Sequence, residues 1–371
     1  MRVDQEYQAL VLNNKELDAI REHLGMANNA LAFPLSAEET PAIKEPAITQ
    51  WESLSQKDRE LYAGGILALN DPLQVASIAY TLSDQRIFRS TLAWSGKDSE
   101  IVASLSPQDE DLVLALRTPQ DIQIMLNDVL ATHSSLWPAN VNVGMSATAS
   151  ILMLAVFDCV REAHYLSLLT HTSPNSAYTL PEVLARLQNA KNGDYRWPLS
   201  LLASLIPSDL LTSFSKDEIM TGLVELEGAG WLLRLDDKKE KPDLPLFMVS
   251  GPGEMIANGF LYDISKAALM ISNKLSDGTI GHEAFMLVRD SRFLWLVDIG
   301  GKVSTVANLT VDEWKDFSKT ILNPSDVVTE PPVPKVIDVV AKSIPCPRCG
   351  AEMSSEKKFC TRCGTALQTG K

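Results

Sequence analysis

Four of the five cysteines fall together, as Cys346-Pro347-Arg348-Cys349-Gly350 and, with ten residues between Cys349 and Cys360, Cys360-Thr361-Arg362-Cys363-Gly364. Each C-x-x-C knuckle lets two thiolates grip one ion. The glycine after each permits the left-handed turn that frees backbone N–H groups to point at sulfur. Four soft thiolates in a tetrahedron suit zinc, with iron as the usual competitor, and leave no position open for water. One structural Zn2+ held by Cys346, Cys349, Cys360 and Cys363 is therefore the expected cofactor. Without metal, a segment of about thirty residues whose large apolar side chains are Ile344, Met353, Phe359 and Leu367 buries too little surface to offset chain entropy. A redox-active or disulfide-paired reading needs a thioredoxin-like strand and helix beside the motif, and the sequence offers neither. Cys159 stands apart, inside the apolar run Ala147 to Val160, and reads as a small core hydrophobe.

Over residues 345–367 the phrase Cys-Pro-Arg-Cys-Gly, followed by Lys-Phe-Cys-Thr-Arg-Cys-Gly-Thr-Ala-Leu, resembles the small zinc-ribbon domains appended to many bacterial and archaeal proteins. Pro347, Phe359 and Leu367 fall where that family places its turn and hydrophobic plug. The resemblance implies zinc ligation by the four cysteines and nothing more. Lys342, Arg348, Lys357, Lys358, Arg362 and Lys371 against Glu352 and Glu356 make this tail +4, leaving −18 on the rest of the chain. Such a tail suits contact with an acidic protein surface, its own body included, ahead of weak contact with nucleic acid.

The elements that must carry this site are read from the other residues. A length of 371 residues, 45% of them hydrophobic and 22% charged, is enough for two or more packed lobes. The net charge of −14 repels phosphate backbones and anionic membranes, so a general nucleic-acid coat is excluded. The start, Met1 to Glu6, lacks a basic region followed by an apolar one, and the cysteine distribution suits a reducing compartment, so the expected location is cytoplasmic. The run Ala147 to Val160 is short for a membrane span and contains Asp158, which predicts a buried core helix.

Periodicity predicts a helix from Leu12 to Gly25, a loop or short strand through Pro34, Pro41 and Pro46, and helices at Ser55 to Leu69 and Leu73 to Leu82. A hairpin follows, Ile87 to Trp94 and Glu100 to Leu105 around Ser95 to Asp98. Ser106-Pro107-Gln108-Asp109 reads as the cap of a helix running to about Leu116. A similar order returns: a helix Gly259 to Leu275, strands Glu283 to Arg289 and Arg292 to Ile299, and a capped helix from Thr310 to about Leu322. Leu82-Ser83-Asp84 before Ile87 mirrors Leu275-Ser276-Asp277 before Ile280. Between the two halves, residues 179–250 suggest a winged helix, with a helix Ser215 to Gly228 followed by strands flanking a charged tip. Lys216 is the single base in that helix, against Asp217, Glu218, Glu225 and Glu227, which opposes DNA reading. From Asn323 to Pro345 five prolines make an extended tether.

The expected fold is α+β: two quasi-repeated lobes of helices and a small antiparallel sheet, a winged-helix-like segment, and a C-terminal zinc ribbon. The divisions expected are an N-terminal lobe 1–160, a second lobe 161–322, a linker 323–344 and the ribbon 345–371. His23, His133, His164, His171 and His282 are scattered with no acid or thiol at triad spacing, and the glycine pairs Gly251/Gly253 and Gly300/Gly301 match no phosphate loop. Seven tryptophans spread along the chain point to core packing. No catalytic or other cofactor-binding residue is expected. The organisation of the body is weakly similar to the chaperones of type VII secretion, whose two quasi-symmetric lobes hold secreted substrates. That resemblance rests on no motif and implies a role, a chaperone- or adaptor-like protein with a protein partner and no membrane insertion. The rival reading is a transcription-associated regulator that uses the winged-helix-like segment and the basic ribbon on DNA. A third is an enzyme whose site a perturbed carboxylate pair or a histidine in a cleft would reveal.

Overall fold

The computed structural model describes residues 1–26, 31–32, 41–82, 86–96, 100–206, 214–235, 246–275, 277–300, 303–323, 343–345 and 352–354. Two compact units divide the chain, Met1–Pro331 and Pro332–Lys371. The larger one begins with a short strand pair, β1 (Arg2–Asp4) and β2 (Ala9–Leu12), then α1 (Asn14–His23), α2 (Pro41–Ser53) and α3 (Gln56–Asn70). A four-stranded meander follows, β3 (Gln74–Thr81), β4 (Ile87–Trp94), β5 (Val102–Gln108) and β6 (Asp111–Arg117), closed by α4 (Pro119–Val129). The second half opens with β7 (Asn142–Met145) and the long α5 (Ala147–Thr170). It continues through β8 (Ala177–Thr179), α6 (Leu180–Asn189), α7 (Pro198–Ala203), α8 (Lys216–Gly228), β9 (Leu232–Leu235), β10 (Leu246–Val249) and α9 (Pro252–Leu261). A second meander, β11 (Ser265–Lys274), β12 (Ile280–Arg289), β13 (Leu294–Gly300) and β14 (Ser304–Leu309), leads into α10 (Val311–Leu322).

The quasi-repeat is visible in the pairing. In each half, four antiparallel strands are followed by one capped helix, and the last strand of the meander pairs with the strand that opened the half: β6 with β2, β14 with β7. The two meanders do not form separate small sheets. They join edge to edge where β3 runs antiparallel to β11, with Ala79 opposite Ala268 and Ile78 opposite Leu269. One eleven-stranded sheet results, in the order β1-β2-β6-β5-β4-β3-β11-β12-β13-β14-β7. The expected division at 160/161 falls inside α5, and the expected tether lies almost wholly outside the described residues.

Several sequence expectations are overturned, and by related causes. The helices expected at Leu73 to Leu82 and through most of Gly259 to Leu275 are the two seam strands β3 and β11. Both are covered on both faces, so their apolar residues run on without a clean period of two and pass for helix. Ser106-Pro107 caps nothing. Pro107 sits within β5 opposite Leu112, and Asp109, at φ 56°, makes the tight turn into β6. The true counterpart of the Thr310/Glu313 capping box lies a hairpin later, at Thr118 and Asp121. The stretch around Pro41 and Pro46, expected as loop, is α2: Pro41 starts the helix, where its missing N–H costs nothing, and Pro46 is tolerated inside it. The helix from Ser55, the hairpin around residue 95 and the final helix from Thr310 form as expected.

Alternation along the strands sends side chains to two faces. On one, Leu10, Leu12, Ala93, Ala103, Leu105 and Leu114 pack beneath α1, α2 and α3. The same face in the second half (Ala268, Met286, Val288, Trp295, Val297, Val306) is covered by α5, α7, α8 and α9. On the other face α4 and α10 lie across the seam, over Ile78, Leu92, Trp94, Leu269, Leu287 and Leu294. Gly259 of α9 is required by this packing. A Cβ there would stand 2.3 Å from Trp295 Nε1 and 2.6 Å from Asp290 Oδ2, the two atoms that hydrogen-bond each other at 3.0 Å. Gly259→Ala is therefore expected to destabilise the body by about 2–3 kcal/mol, despite its gain in helix propensity, through overpacking and the lost indole partner. A urea melt reads this directly, and an unchanged midpoint would remove the packing argument.

Candidate functional site

Within the C-terminal unit, β15 (Ser343–Pro345) and β16 (Glu352–Ser354) pair antiparallel, Ser343 opposite Ser354, Ile344 opposite Met353 and Pro345 opposite Glu352. Cys346, Cys349, Cys360 and Cys363 themselves lie outside the described residues.

In the body, the C-terminal half of α5 combines a buried charged underside with an exposed apolar end. Arg161 Nη1 lies 2.7 Å from Asp263 Oδ1, and Lys266 Nζ 2.7 Å from Asp263 Oδ2, with all three side chains at most 7% exposed. Asp158, 1% exposed, faces the same group; burial pushes its carboxyl up to about 7, against the pull of Arg186, Arg161 and Lys266. Burial likewise lowers the Lys266 ammonium. Two cations and two carboxylates thus share one dry space between α5 and the start of β11. Beside them Arg186 of α6 pairs with Glu162 of α5 and covers the face of Trp197 at 4.8 Å. These contacts fix the helix from below. Beyond them Leu166, Leu168 and Leu169 are 53%, 60% and 78% exposed, with Tyr262 and Ile264 also exposed nearby and His164 edge-on to Tyr262. A cleft of about 460 Å3 opens between α5 and α6, lined by Cys159, Glu162, Leu166, Tyr178, Glu182 and Arg186. Burial raises the Cys159 thiol to about 12, so it is a packing residue and not a nucleophile at neutral pH.

Residues 346–367 match the zinc-ribbon domain family. The body is similar over 85% of this chain to a solved structure of the Mycobacterium tuberculosis type VII secretion system chaperone EspG5 in complex with a PE25–PPE41 dimer. That match covers 96% of the EspG5 chain, at 11% identity and a TM-score of 0.40. No curated protein sequence matches the chain.

A zinc ribbon implies zinc binding. The residues present fit that metal by their chemistry: the matched segment contributes four cysteine thiols in two C-x-x-C pairs. When bound, the ion would cross-link the two cysteine pairs.

The histidines remain dispersed, as their spacing implied. His23 is 3.7 Å from Glu52, His171 caps α5 in the left-handed region, and His282 Nδ1 meets Ser272 Oγ at 2.8 Å. Among the described residues no three His, Cys, Asp or Glu are placed to hold a metal. The winged-helix-like order is present: β8, β10 and β9 form a three-stranded antiparallel sheet with α6, α7 and α8 between the strands. Yet α8 is spent on packing. Gly222 lets it approach α5 so closely that a Cβ would stand 2.9 Å from Leu152. Its exposed side chains are Lys216, Asp217, Glu218, Thr221 and Val224, a single base against two acids. Six tryptophans are buried as expected; Trp137 is exposed, with Arg292 over its ring at 5.4 Å. No described helix is long and apolar enough to cross a membrane. The exposed leucines lie past the apolar run Ala147 to Val160, and no motif in the sequence points to them. The available signal was their position past Arg161 and Glu162, beyond the length the core can cover.

Proposed function

We propose that this chain is a non-enzymatic, cytosolic protein-binding protein of chaperone or adaptor type, with a single structural Zn2+ bound by Cys346, Cys349, Cys360 and Cys363. The observation that carries the reading is the end of α5. A helix buried for most of its length emerges with three leucines in water, next to an open cleft and above a rigid charged base. Exposed apolar clusters of this kind mark interaction sites, and a helix end beside a groove suits an amphipathic helix of a protein partner. The charge of −18 outside the tail favours a partner with basic flanks. The DNA-binding alternative draws on the winged-helix order and the basic ribbon, and the acids of α8 oppose it.

The test compares capture of cytosolic proteins by the wild-type chain, by Leu166→Ser with Leu169→Ser, and by Cys346→Ser with Cys349→Ser. Truncating two central leucines is expected to cost about 2 kcal/mol each in binding, enough to lose the partner, while the melting temperature holds because both side chains are already solvated. The cysteine variant is expected to keep the partner. Retention of the same partner by the leucine variant would place recognition elsewhere.

A further inference from the structure

The quasi-repeat makes β2 and β7 equivalent, each bordering its own meander, but their outer sides differ. Against β2 lies β1, with Val3 opposite Leu10. Against the outer side of β7 no described strand pairs, and β7 ends the sheet. Here the geometry points to a strand-addition site: β7 receives an extended segment of another protein, in the place that β1 occupies on β2.

The ladder shows which groups are offered. The Asn308 N–H donates to the Val141 carbonyl at 2.9 Å, and Val306 and Ser304 lie opposite Val143 and Met145. Antiparallel pairing alternates, so residues 141, 143 and 145 bond inward to β14 while Asn142 and Gly144 present both N–H and C=O outward. Asn142 and Gly144 are also the two exposed residues of the strand. Sheet edges are ordinarily guarded by charge, proline or a bulge. The opposite edge follows that rule, being three residues long with Arg2 and Asp4 in it, whereas Asn142-Val143-Gly144-Met145 has no charge and no proline.

The neighbours define the occupant. A residue opposite Val143 points, as Val143 does, toward the core beneath α5 and α8, so it is apolar. Residues opposite Asn142 and Gly144 point to the other face, where Val303, 56% exposed, lies over Gly144 with its Cγ1 3.1 Å from where a Cβ would stand, and offers an apolar surface. Apolar or β-branched side chains fit there too. Ser146, directly after β7, donates from its N–H and hydroxyl to Glu225 of α8 at 2.8 and 2.6 Å. An acid of α8, Glu225, thus stands at the end of the strand, and a segment with flanking Lys or Arg is favoured. A second copy of this chain, at −14, is repelled.

This site is separate from the leucines of α5, and the experiment distinguishes them. Random linear peptides displayed on phage are selected on the zinc-loaded full chain. Enriched sequences are synthesised and titrated by fluorescence anisotropy against wild type, Asn142→Pro, Gly144→Pro, and Leu166→Ser with Leu169→Ser. Both prolines replace amides that point outward, so no bond to β14 is lost. Gly144→Pro presses on Val303, and if it fails to fold, Asn142→Pro is read alone. The expected peptides alternate apolar residues between basic ends and bind Asn142→Pro about tenfold more weakly, for the hydrogen bond and close approach removed. They bind the leucine variant unchanged and slow hydrogen exchange at amides 142 and 144. Peptides that bind Asn142→Pro as tightly as wild type, that lose affinity only with the leucine variant, or a selection that enriches none would overturn the site.

Discussion

Replacing Asp263 by alanine is expected to cost the body about 3–5 kcal/mol, a large part of the stability of an ordinary domain. The carboxylate bridges Arg161 and Lys266 at 2.7 Å on each side, and removing it leaves two buried cations with Asp158 as the nearby acid and, for Arg161, the Phe260 carbonyl as acceptor. The pH dependence of this loss has a definite sign. Burial already lowers Lys266 below its ordinary value, and the loss of Asp263 removes the strongest influence holding it up. The folded variant then binds fewer protons than the unfolded chain, so its stability rises with pH until the ordinary lysine value is passed. Urea melts of Asp263→Ala at neutral and alkaline pH should show a deficit that shrinks as pH rises. A loss below about 1 kcal/mol would mean that water reaches the cluster and that the end of α5 is not held from beneath.

Chelation is expected to act on the other unit with a larger effect still. Structural zinc contributes about 10–16 kcal/mol to folding small metal domains, more than any core of this size supplies. Removing it with a strong chelator, or introducing Cys346→Ser with Cys349→Ser, should abolish folded structure between residues 343 and 367. The melting transition of the body should stay within about 0.5 kcal/mol. Native mass spectrometry of the untreated chain should find one zinc per polypeptide. Two ions, or a fall in the body's transition on chelation, would contradict a single autonomous structural site.

Legibility of the sequence followed the physics of each signal. The zinc motif declares itself because metal geometry fixes residue type and spacing with no reference to the rest of the chain. Capped helices were readable for a similar reason: Ser55, Thr310 and Ser215 announce their helices through atoms within one turn. The seam strands were not. Gln74 to Thr81 and Ser265 to Lys274 owe their conformation to each other across nearly two hundred residues, and the pairing leaves no local mark except apolar continuity. The repeat was glimpsed through a real correspondence, the first turn of each meander before Ile87 and Ile280. Its second anchor, at Ser106, was displaced by one hairpin because a serine followed by proline serves a strand as readily as a helix start. The exposed leucines and the edge of β7, on which no described strand pairs, depend on what does not cover them, a property of the assembled fold that no local pattern encodes.

The seam has a consequence for how the chain is made. Synthesis delivers β3 long before β11, so a nascent chain that has completed its first meander carries a bare, apolar inner edge until the first strand of the second emerges. Contacts so distant in sequence close late and slowly. The first half therefore waits on the ribosome as an unfinished sheet, and the interval in which it needs protection from pairing with its neighbours is set by the translation time of the segment between the meanders.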